Sequence, residues 1–129
     1  MLIPISNKGT NMSISVYGIS TCSTCKKALK WLDANGIEYT WIDTRKTPPS
    51  EETILSWISD IGFKPMRNTS GGSYRALGAE KQTWGDTEWC SAFSKDAMLL
   101  KRPLFEKKGK ALFTGFRGTD EEIKNRLGS

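Results

Sequence analysis

The sequence contains no histidine, and this absence excludes several kinds of site. A Ser-His-Asp triad and a Cys-His pair both need an imidazole as base, and imidazole is the commonest transition-metal ligand. The chain also has only three cysteines, an odd number that cannot form a closed disulfide framework. A zinc site would lack ligands in its first coordination shell, so we expect no bound metal.

Long apolar runs are missing as well. No stretch approaches the roughly 20 apolar residues that cross a bilayer, and residues 1–11 lack the apolar segment of a secretory signal. We therefore expect no membrane association and a cytoplasmic location, where thiols are kept reduced. The net charge of +5 comes from 19 basic residues spread along the chain. Without a concentrated basic face or a helix-turn-helix signature, we expect no direct binding of nucleic acid, and we take a monomer as the expected state.

A length of 129 residues is typical of one domain with its own apolar core. Residues 1–13 contain Asn, Ser and Gly without regular periodicity, and are expected to form an irregular or disordered lead. Met12 would serve as a start just before the first strand, so this lead is interpreted as cloning-derived or as a mis-assigned start. The domain itself is predicted over residues 14–129.

Hydrophobic periodicity predicts the order β-α-β, a helical insert, then β-β-α. The predicted strands span residues 14–18, 38–43, 104–106 and 111–113, the last two forming a hairpin. The predicted helices span residues 26–35, beginning at the cysteines, 51–61, 87–100 and 119–127. Ser50 and Thr119 are the expected helix caps, and residues 64–79 are expected to be a loop. This order indicates a thioredoxin-like α/β fold with a mixed sheet.

Cys22 and Cys25 form a C-x-x-C pair between the first strand and the first helix. Unpaired N–H groups and the helix dipole favour a thiolate at a helix N-terminus, so Cys22 is the predicted nucleophile. Lys26 and Lys27 add positive charge, and we expect the pKa of Cys22 to lie below the free-thiol value of about 8.5. Cys25, one turn along, is predicted to attack a mixed disulfide on Cys22 and close an internal disulfide. An inert Cys25, with an external thiol in its place, stays open as the alternative.

Three further residues bear on this chemistry. Cys90 lies within a helical pattern beside Trp89, and is predicted to be a small buried hydrophobic residue. Pro103 precedes a predicted strand, where a thioredoxin fold places a cis-proline beside its redox cysteines. Arg102 would then lie near the sulfurs as a partner for an anion or thiolate, unless it is an ordinary surface arginine.

Several separate motifs occur in one order and spacing. They are Tyr17-Gly18-Ile19, Cys22-Ser23-Thr24-Cys25-Lys26-Lys27-Ala28, Trp31-Leu32, Pro49-Ser50, Asn68-Thr69, Tyr74-Arg75-Ala76-Leu77 and Lys101-Arg102-Pro103-Leu104. Together they resemble the arsenate reductase-like ArsC/Spx/YffB family over about residues 14–127. The resemblance implies a thioredoxin fold with a helical insertion, a catalytic Cys22 and an essential Arg102 before a cis-proline.

The sequence departs from the arsenate reductases of that family at two positions. Where those enzymes place two further arginines around the oxyanion, spacing puts Ser70 and Gly115 here. Arg67 and Arg117 lie close in sequence and are candidates to replace them. Fewer fixed cationic donors should weaken arsenate binding. The candidate substrate- or anion-binding residues are Thr24, Lys26, Arg67, Ser70 and Pro103.

Two functions are consistent with the resemblance. The first is an arsenate reductase-like thiol-disulfide oxidoreductase for a small thiol or oxyanion, poor with arsenate itself. It would hold no cofactor and would take electrons from glutathione or from a thioredoxin or glutaredoxin. The second is an Spx-like redox-sensing transcriptional regulator that binds the RNA polymerase α-subunit and switches through a Cys22–Cys25 disulfide. Residues 68–74 favour the YffB-like enzymes, and the basic C-terminal extension common in Spx is missing.

Overall fold

A computed structural model of the chain describes residues 14–128, and the predicted lead over residues 1–13 lies outside the described residues. The strands are β1 (Ile14–Gly18), β2 (Tyr39–Asp43), β3 (Leu104–Lys107) and β4 (Lys110–Thr114). They form a sheet in the order β2-β1-β3-β4. β1 pairs in parallel with β2 and antiparallel with β3, and β3 and β4 form an antiparallel hairpin. The mixed sheet confirms the predicted thioredoxin-like α/β fold.

Five α-helices lie within the described part of the chain. They are α1 (Ser23–Ala34), α2 (Glu51–Ile61), α3 (Gly72–Ala76), α4 (Asp86–Lys95) and α5 (Asp120–Arg126). Short 3₁₀ turns cover Lys64–Met66, Ala79–Thr83 and Ala97–Leu99. The chain from α2 to the last of these turns lies between β2 and β3, which is the predicted helical insertion. Over residues 14–128 no helix is long and apolar enough to cross a membrane.

The two predicted helix caps are formed. Ser50 Oγ accepts the Thr53 N–H at 3.1 Å and opens α2, with acidic residues in the first turn facing the positive end of the helix dipole. Thr119 and Glu122 form a reciprocal capping box at the start of α5, with bonds of 2.9 and 3.1 Å. These caps determine the residues at which α2 and α5 begin.

The predicted helix over residues 87–100 is too long. α4 ends at Lys95, because Asp96 adopts an extended backbone and its carboxylate accepts the Met98 N–H at 2.9 Å. The following turn carries Leu99 into the core, and Leu100 is also buried, so the apolar spacing continues after the helix has ended. The predicted loop over residues 64–79 likewise contains α3.

The core lies in two clusters on opposite faces of the sheet. Val16 and Phe105 face α1 and α5, whereas Tyr17 and Leu104 face α2 and α4. This division follows from the alternation of side chains along a strand. Burying each large apolar side chain contributes roughly 1.5–3 kcal/mol, so both faces hold β1 in place. The end of β1, where the cysteines follow, is therefore a rigid platform.

Candidate active site

The C-x-x-C pair lies where β1 leads into α1. Cys22 is the N-cap of α1, with φ −81° and ψ 122°, and Cys25 lies in the first helical turn. The Cys22 N–H donates to the Ile19 carbonyl at 3.0 Å, and the Cys22 carbonyl accepts the Lys26 N–H at 3.1 Å. All three cysteines are free thiols. The backbone thus holds the Cys22 sulfur over the unpaired N–H groups of the helix.

Several donors converge on the Cys22 sulfur. Partial burial raises its pKa, but hydrogen bonds from the Cys25 N–H and thiol, from Arg102 and from the Thr24 N–H outweigh this effect. The pKa of the Cys22 thiol is therefore below its ordinary value, because hydrogen bonds to a charged group favour the charged form. The sequence predicts a lowered pKa for Cys22, and the structure gives the same direction. The causes are these hydrogen bonds, however, and not the charges of Lys26 and Lys27.

Cys25 has the opposite character. It is buried, and burial together with the negative charge of Cys22 raises the pKa of the Cys25 thiol to about 12, against a hydrogen bond from the Ile19 backbone. The two sulfurs are hydrogen-bonded to each other, with Cys25 as donor. Cys22 therefore ionises at a lower pH than Cys25, which keeps its proton.

Gly18 makes room for this arrangement. A Cβ on Gly18 would lie 2.5 Å from Cys25 Sγ and 3.0 Å from Cη2 of the Trp41 indole. A side chain at this position would displace the sulfur, since real Cβ contacts are longer. The glycine at the end of β1 thus permits close packing of Cys25 and Trp41 against the strand.

Arg102 also belongs to the site. The Arg102–Pro103 peptide bond is cis, and Arg102 Nη1 donates to the carbonyls of Leu100 at 3.1 Å and Met98 at 3.3 Å. These bonds orient the guanidinium while Arg102 also contacts Cys22. Arg102 Nε is buried without a partner among residues 14–128. The guanidinium is thus held beside the thiol with donor capacity to spare.

A cavity of about 260 Å³ opens in front of the Cys22 thiol. Its lining residues are Cys22, Thr24, Asn68, Ser70, Lys101, Arg102, Gly115, Phe116 and Arg117. Three of these carry positive charge, and none is a carboxylate. The fold brings them together from α1, the insertion, the cis-proline segment and the residues after β4. An anionic ligand would therefore be favoured beside the thiol.

Among the predicted anion-binding residues, Thr24 and Ser70 line this cavity, whereas Lys26, Arg67 and Pro103 do not. Lys26 is exposed on α1, and Pro103 is fully buried. Sequence reasoning did not propose Lys101 or Asn68. Lys101 adjoins Arg102 in the sequence, but only the fold turns both of them toward the cavity.

Arg67, a predicted anion-binding residue, packs against aromatic rings and does not line this cavity. Its guanidinium carbon lies 5.4 to 5.8 Å from the ring centres of Phe63, Tyr74 and Trp89. This cation–π packing holds the charge within the helical insertion. Arg117 is the candidate replacement that does line the cavity.

Gly115 lines the cavity at the position where the family resemblance implies an arginine. Its φ of +82° favours glycine, and a Cβ there would meet Lys101 Cε at 3.1 Å. No cluster of three or more potential metal-ligating side chains occurs among residues 14–128.

Comparisons with known proteins identify relatives of this chain in sequence and in fold. The uncharacterized protein YusI of Bacillus subtilis is 34% identical over 110 residues, covering 82% of this chain and 92% of that protein. A crystal structure of a possible arsenate reductase from Streptococcus mutans is 36% identical, with a TM-score of 0.77, covering 86% of this chain and 97% of that one.

More distant relatives carry functional names. An arsenate reductase of Escherichia coli is 27% identical over 94 residues, covering 71% of this chain and 67% of the enzyme. The global transcriptional regulator Spx 2 of Bacillus anthracis is 26% identical over 117 residues, covering 88% of this chain and 86% of the regulator. The ArsC family profile matches residues 17–124, which include both core faces, the cysteine pair and the cis-proline. The chain therefore belongs to the ArsC family.

Proposed function

We propose that this protein is a thiol-disulfide oxidoreductase in which Cys22 is the nucleophile and Cys25 the resolving thiol. The observation that carries the proposal is the contrast between two hydrogen-bonded thiols, with the pKa lowered at Cys22 and raised at Cys25. Such a pair ionises only at the sulfur that faces the cavity. The ArsC fold and the arsenate reductase relative support a thiol-dependent reaction.

The reaction proceeds in two exchanges. The Cys22 thiolate attacks one sulfur of a disulfide substrate, a new S–S bond forms to Cys22, and the departing thiolate takes a proton from water. Cys25 then gives its proton to solvent and attacks Cys22 Sγ, which releases the second substrate thiol. The substrate disulfide gains two electrons, and the protein becomes the Cys22–Cys25 disulfide. Two molecules of a small thiol such as glutathione, or the dithiol of a thioredoxin or glutaredoxin, supply two electrons by forming a disulfide themselves and return the protein to the dithiol.

Arg102 has a defined part in this scheme. Its contact with Cys22 stabilises the attacking thiolate, and the positive cavity stabilises the negative charge that spreads over three sulfurs during exchange. Because the guanidinium is held by the Leu100 and Met98 carbonyls, it needs little reorganisation when charge develops.

Arsenate is expected to be a poor substrate. By the family resemblance, Ser70 and Gly115 occupy the positions of two arginines of the arsenate reductases and supply no charge. The exposed side chains of Lys101 and Arg117 have no hydrogen-bond or ion-pair partner among residues 14–128 that would fix them. A tetrahedral oxyanion needs several fixed donors. With glutathione and glutaredoxin supplied, we expect turnover well below about 1 per second, which coupled NADPH oxidation measures.

Mixing the reduced protein with bis(2-hydroxyethyl) disulfide tests the main proposal. Intact-mass and peptide mapping should show a transient Cys22 adduct that resolves to the Cys22–Cys25 disulfide. Cys25→Ser should trap the adduct, Cys22→Ser should form none, and Cys90→Ser should behave as the wild type. Adduct formation at Cys90 in preference to Cys22 would refute the assignment.

A redox-sensing regulator remains the second candidate, supported by the Spx 2 relative and by the hydrogen-bonded cysteine pair. In that function the disulfide would switch binding to the RNA polymerase α-subunit. Titrating purified α-subunit into the reduced and oxidised protein by calorimetry separates the two functions. Binding that differs between the redox states would favour the regulator, and no binding in either state would favour the enzyme.

A further inference from the structure

The carboxyl ends of β1 and β2 are tied together beside the cysteine pair. The Thr44 N–H donates to the Gly18 carbonyl at 2.8 Å, and the Thr44 hydroxyl donates to the same carbonyl at 3.3 Å. Thr44 is buried, so these two bonds are shielded from water. Asp43 is the last residue of β2, and its carboxylate contacts the turn that follows Gly18. The end of β2 therefore determines how the chain leaves β1.

The turn between β1 and α1 makes hydrogen bonds to both cysteines. The Ile19 carbonyl accepts the Cys22 N–H at 3.0 Å, and the Ile19 N–H donates to Cys25 Sγ. The donors to Cys22 Sγ come instead from Thr24, Cys25 and Arg102, which lie outside this turn. A displacement of the turn would therefore remove a donor from Cys25 and leave the donors of Cys22 in place.

Asp43 holds the turn with a carboxylate whose two oxygens have different partners. Oδ2 accepts the Ser20 N–H at 3.2 Å, and Oδ1 accepts the N–H groups of Arg45 at 2.9 Å and Lys46 at 3.3 Å. The Ser20 hydroxyl also donates to this carboxylate. Slight desolvation raises the pKa of Asp43, but the bonds from these N–H groups outweigh it and hold the pKa below its usual range. The charged carboxylate, fixed by its own loop, thus gives Ser20 a fixed acceptor.

We propose that Asp43 is a positioning residue for the resolving step, because it holds Ser20 and thereby keeps the Ile19 N–H directed at Cys25 Sγ. This inference rests on the proposed exchange reaction, in which Cys25 loses its proton to solvent, attacks Cys22 Sγ and releases the second substrate thiol. Negative charge develops on Cys25 Sγ in that step, and a hydrogen bond to a charged atom is stronger than one between neutral groups. Asp43 does not line the cavity in front of Cys22, so it acts through the turn and not on the substrate.

The rates of the two exchanges separate this role from a general loss of stability. With bis(2-hydroxyethyl) disulfide at one pH, acid quench and intact mass give the rate of adduct formation at Cys22 and the rate of closure to the Cys22–Cys25 disulfide. Asp43→Asn keeps one acceptor oxygen where the carboxylate has two, so closure should slow about threefold to tenfold. Adduct formation should stay within about twofold of the wild-type rate, since the donors to Cys22 Sγ are unchanged.

Asp60→Asn is the matched control. Asp60 Oδ2 accepts the Ala111 N–H at 2.9 Å, which is a bond of the same type at the end of the sheet away from Gly18. This variant should leave the ratio of the two rates unchanged.

Two further variants test the contact between Asp43 and Ser20. Asp43→Glu keeps a carboxylate, and the open cavity of about 300 Å³ beside Asp43 leaves room for the longer side chain. It should therefore close faster than Asp43→Asn. Ser20→Ala removes only the hydroxyl donor, so it should slow closure by less than Asp43→Asn does.

Failure of the positioning role can be told from failure of the reaction. If a folded Asp43→Asn protein closes at the wild-type rate, or slows equally in both steps, the positioning role is overturned while the oxidoreductase proposal stands. Equal slowing of closure in Asp60→Asn has the same consequence. Thermal melts show which variants are folded, and if Asp43→Asn is not, unchanged closure in Ser20→Ala overturns the role. If the wild type forms no adduct at Cys22, both proposals are overturned.

Discussion

The reactivity of the protein depends on which thiol ionises near neutral pH. Because the folded pKa of Cys22 is lowered, the rate of its alkylation by iodoacetamide should reach half its plateau at a lower pH than that of the same thiol in the urea-unfolded chain. Cys90 should react much more slowly, since it is buried and its thiol donates to the Glu51 carbonyl at 3.3 Å. Peptide mapping after limited labelling at neutral pH measures both rates.

Variants identify the source of this shift. Cys25→Ala removes a thiol donor and Arg102→Gln removes a charge, so each should move the half-maximal pH upward. Lys27→Gln should leave it nearly unchanged, because Lys27 is exposed and donates no hydrogen bond to the sulfur. A profile for Arg102→Gln identical to that of the wild type would contradict the role of Arg102 at the thiolate.

Gly18 determines how much space is left beside Cys25. Gly18→Ala should destabilise the fold by about 1–3 kcal/mol, because its Cβ would lie 2.5 Å from Cys25 Sγ. It should also slow closure of the Cys22–Cys25 disulfide by moving the sulfur. Gly72→Ala is the control, since a Cβ at Gly72 meets nothing within 4 Å, and should shift stability by less than about 0.5 kcal/mol. Urea unfolding and single-turnover oxidation measure the two effects.

At the level of helices and strands, the caps determine where α2 and α5 begin. Ser50→Ala and Thr119→Ala each remove a bond to a backbone N–H and should each cost about 0.5–2 kcal/mol. Ser59→Ala, at an exposed position within α2, should be neutral or slightly stabilising because alanine is the better helix former. Urea unfolding of the three variants tests the difference, and equal effects at Ser50 and Ser59 would contradict the cap.

The elements that the sequence predicts well are those with local signals. β1, the hairpin and both caps follow from alternation, turn residues and capping chemistry over a few neighbouring positions. α3 lacks such a local signal. Its Tyr74 packs on Trp89 with the ring centres 6.2 Å apart, and only the folded chain brings these two residues together. The end of α4 was missed because Asp96 terminates the helix while apolar spacing continues into Leu99 and Leu100.

At the scale of the whole molecule, Cys22 and Cys25 should form a disulfide with each other rather than with Cys90 or with another copy of the chain. Mild peroxide should convert the protein to a monomeric Cys22–Cys25 disulfide, because a neighbouring thiol captures sulfenic acid before further oxidation. Cys25→Ser should instead over-oxidise or cross-link at Cys22. Non-reducing peptide mapping with gel filtration tests this, and a Cys22–Cys90 bridge would remove Cys25 from the resolving role.

The candidate site shows how far sequence reasoning reaches. The C-x-x-C spacing located Cys22 at a helix N-terminus, and the motif before Pro103 located Arg102, because these signals span only a few residues. Arg117 is a candidate from the sequence because it lies close to Gly115, but Lys101 comes from a separate segment that meets it only after the sheet has packed. Arg67 looked equivalent to them in sequence, but nearby aromatic rings hold it in the insertion.

The packing of Trp41 and Cys25 against Gly18 also gives the molecule an optical signal. Cys25 Sγ and Trp41 Cη2 both lie within 3.0 Å of the position that a Cβ on Gly18 would occupy. A sulfur atom so near an indole changes the fluorescence lifetime of that indole. Trp57 and Trp89 are fully buried in the cluster on the other face of the sheet. Intrinsic emission should therefore change when the dithiol closes and should stay constant in Trp41→Phe, so that each turnover can be followed without a dye.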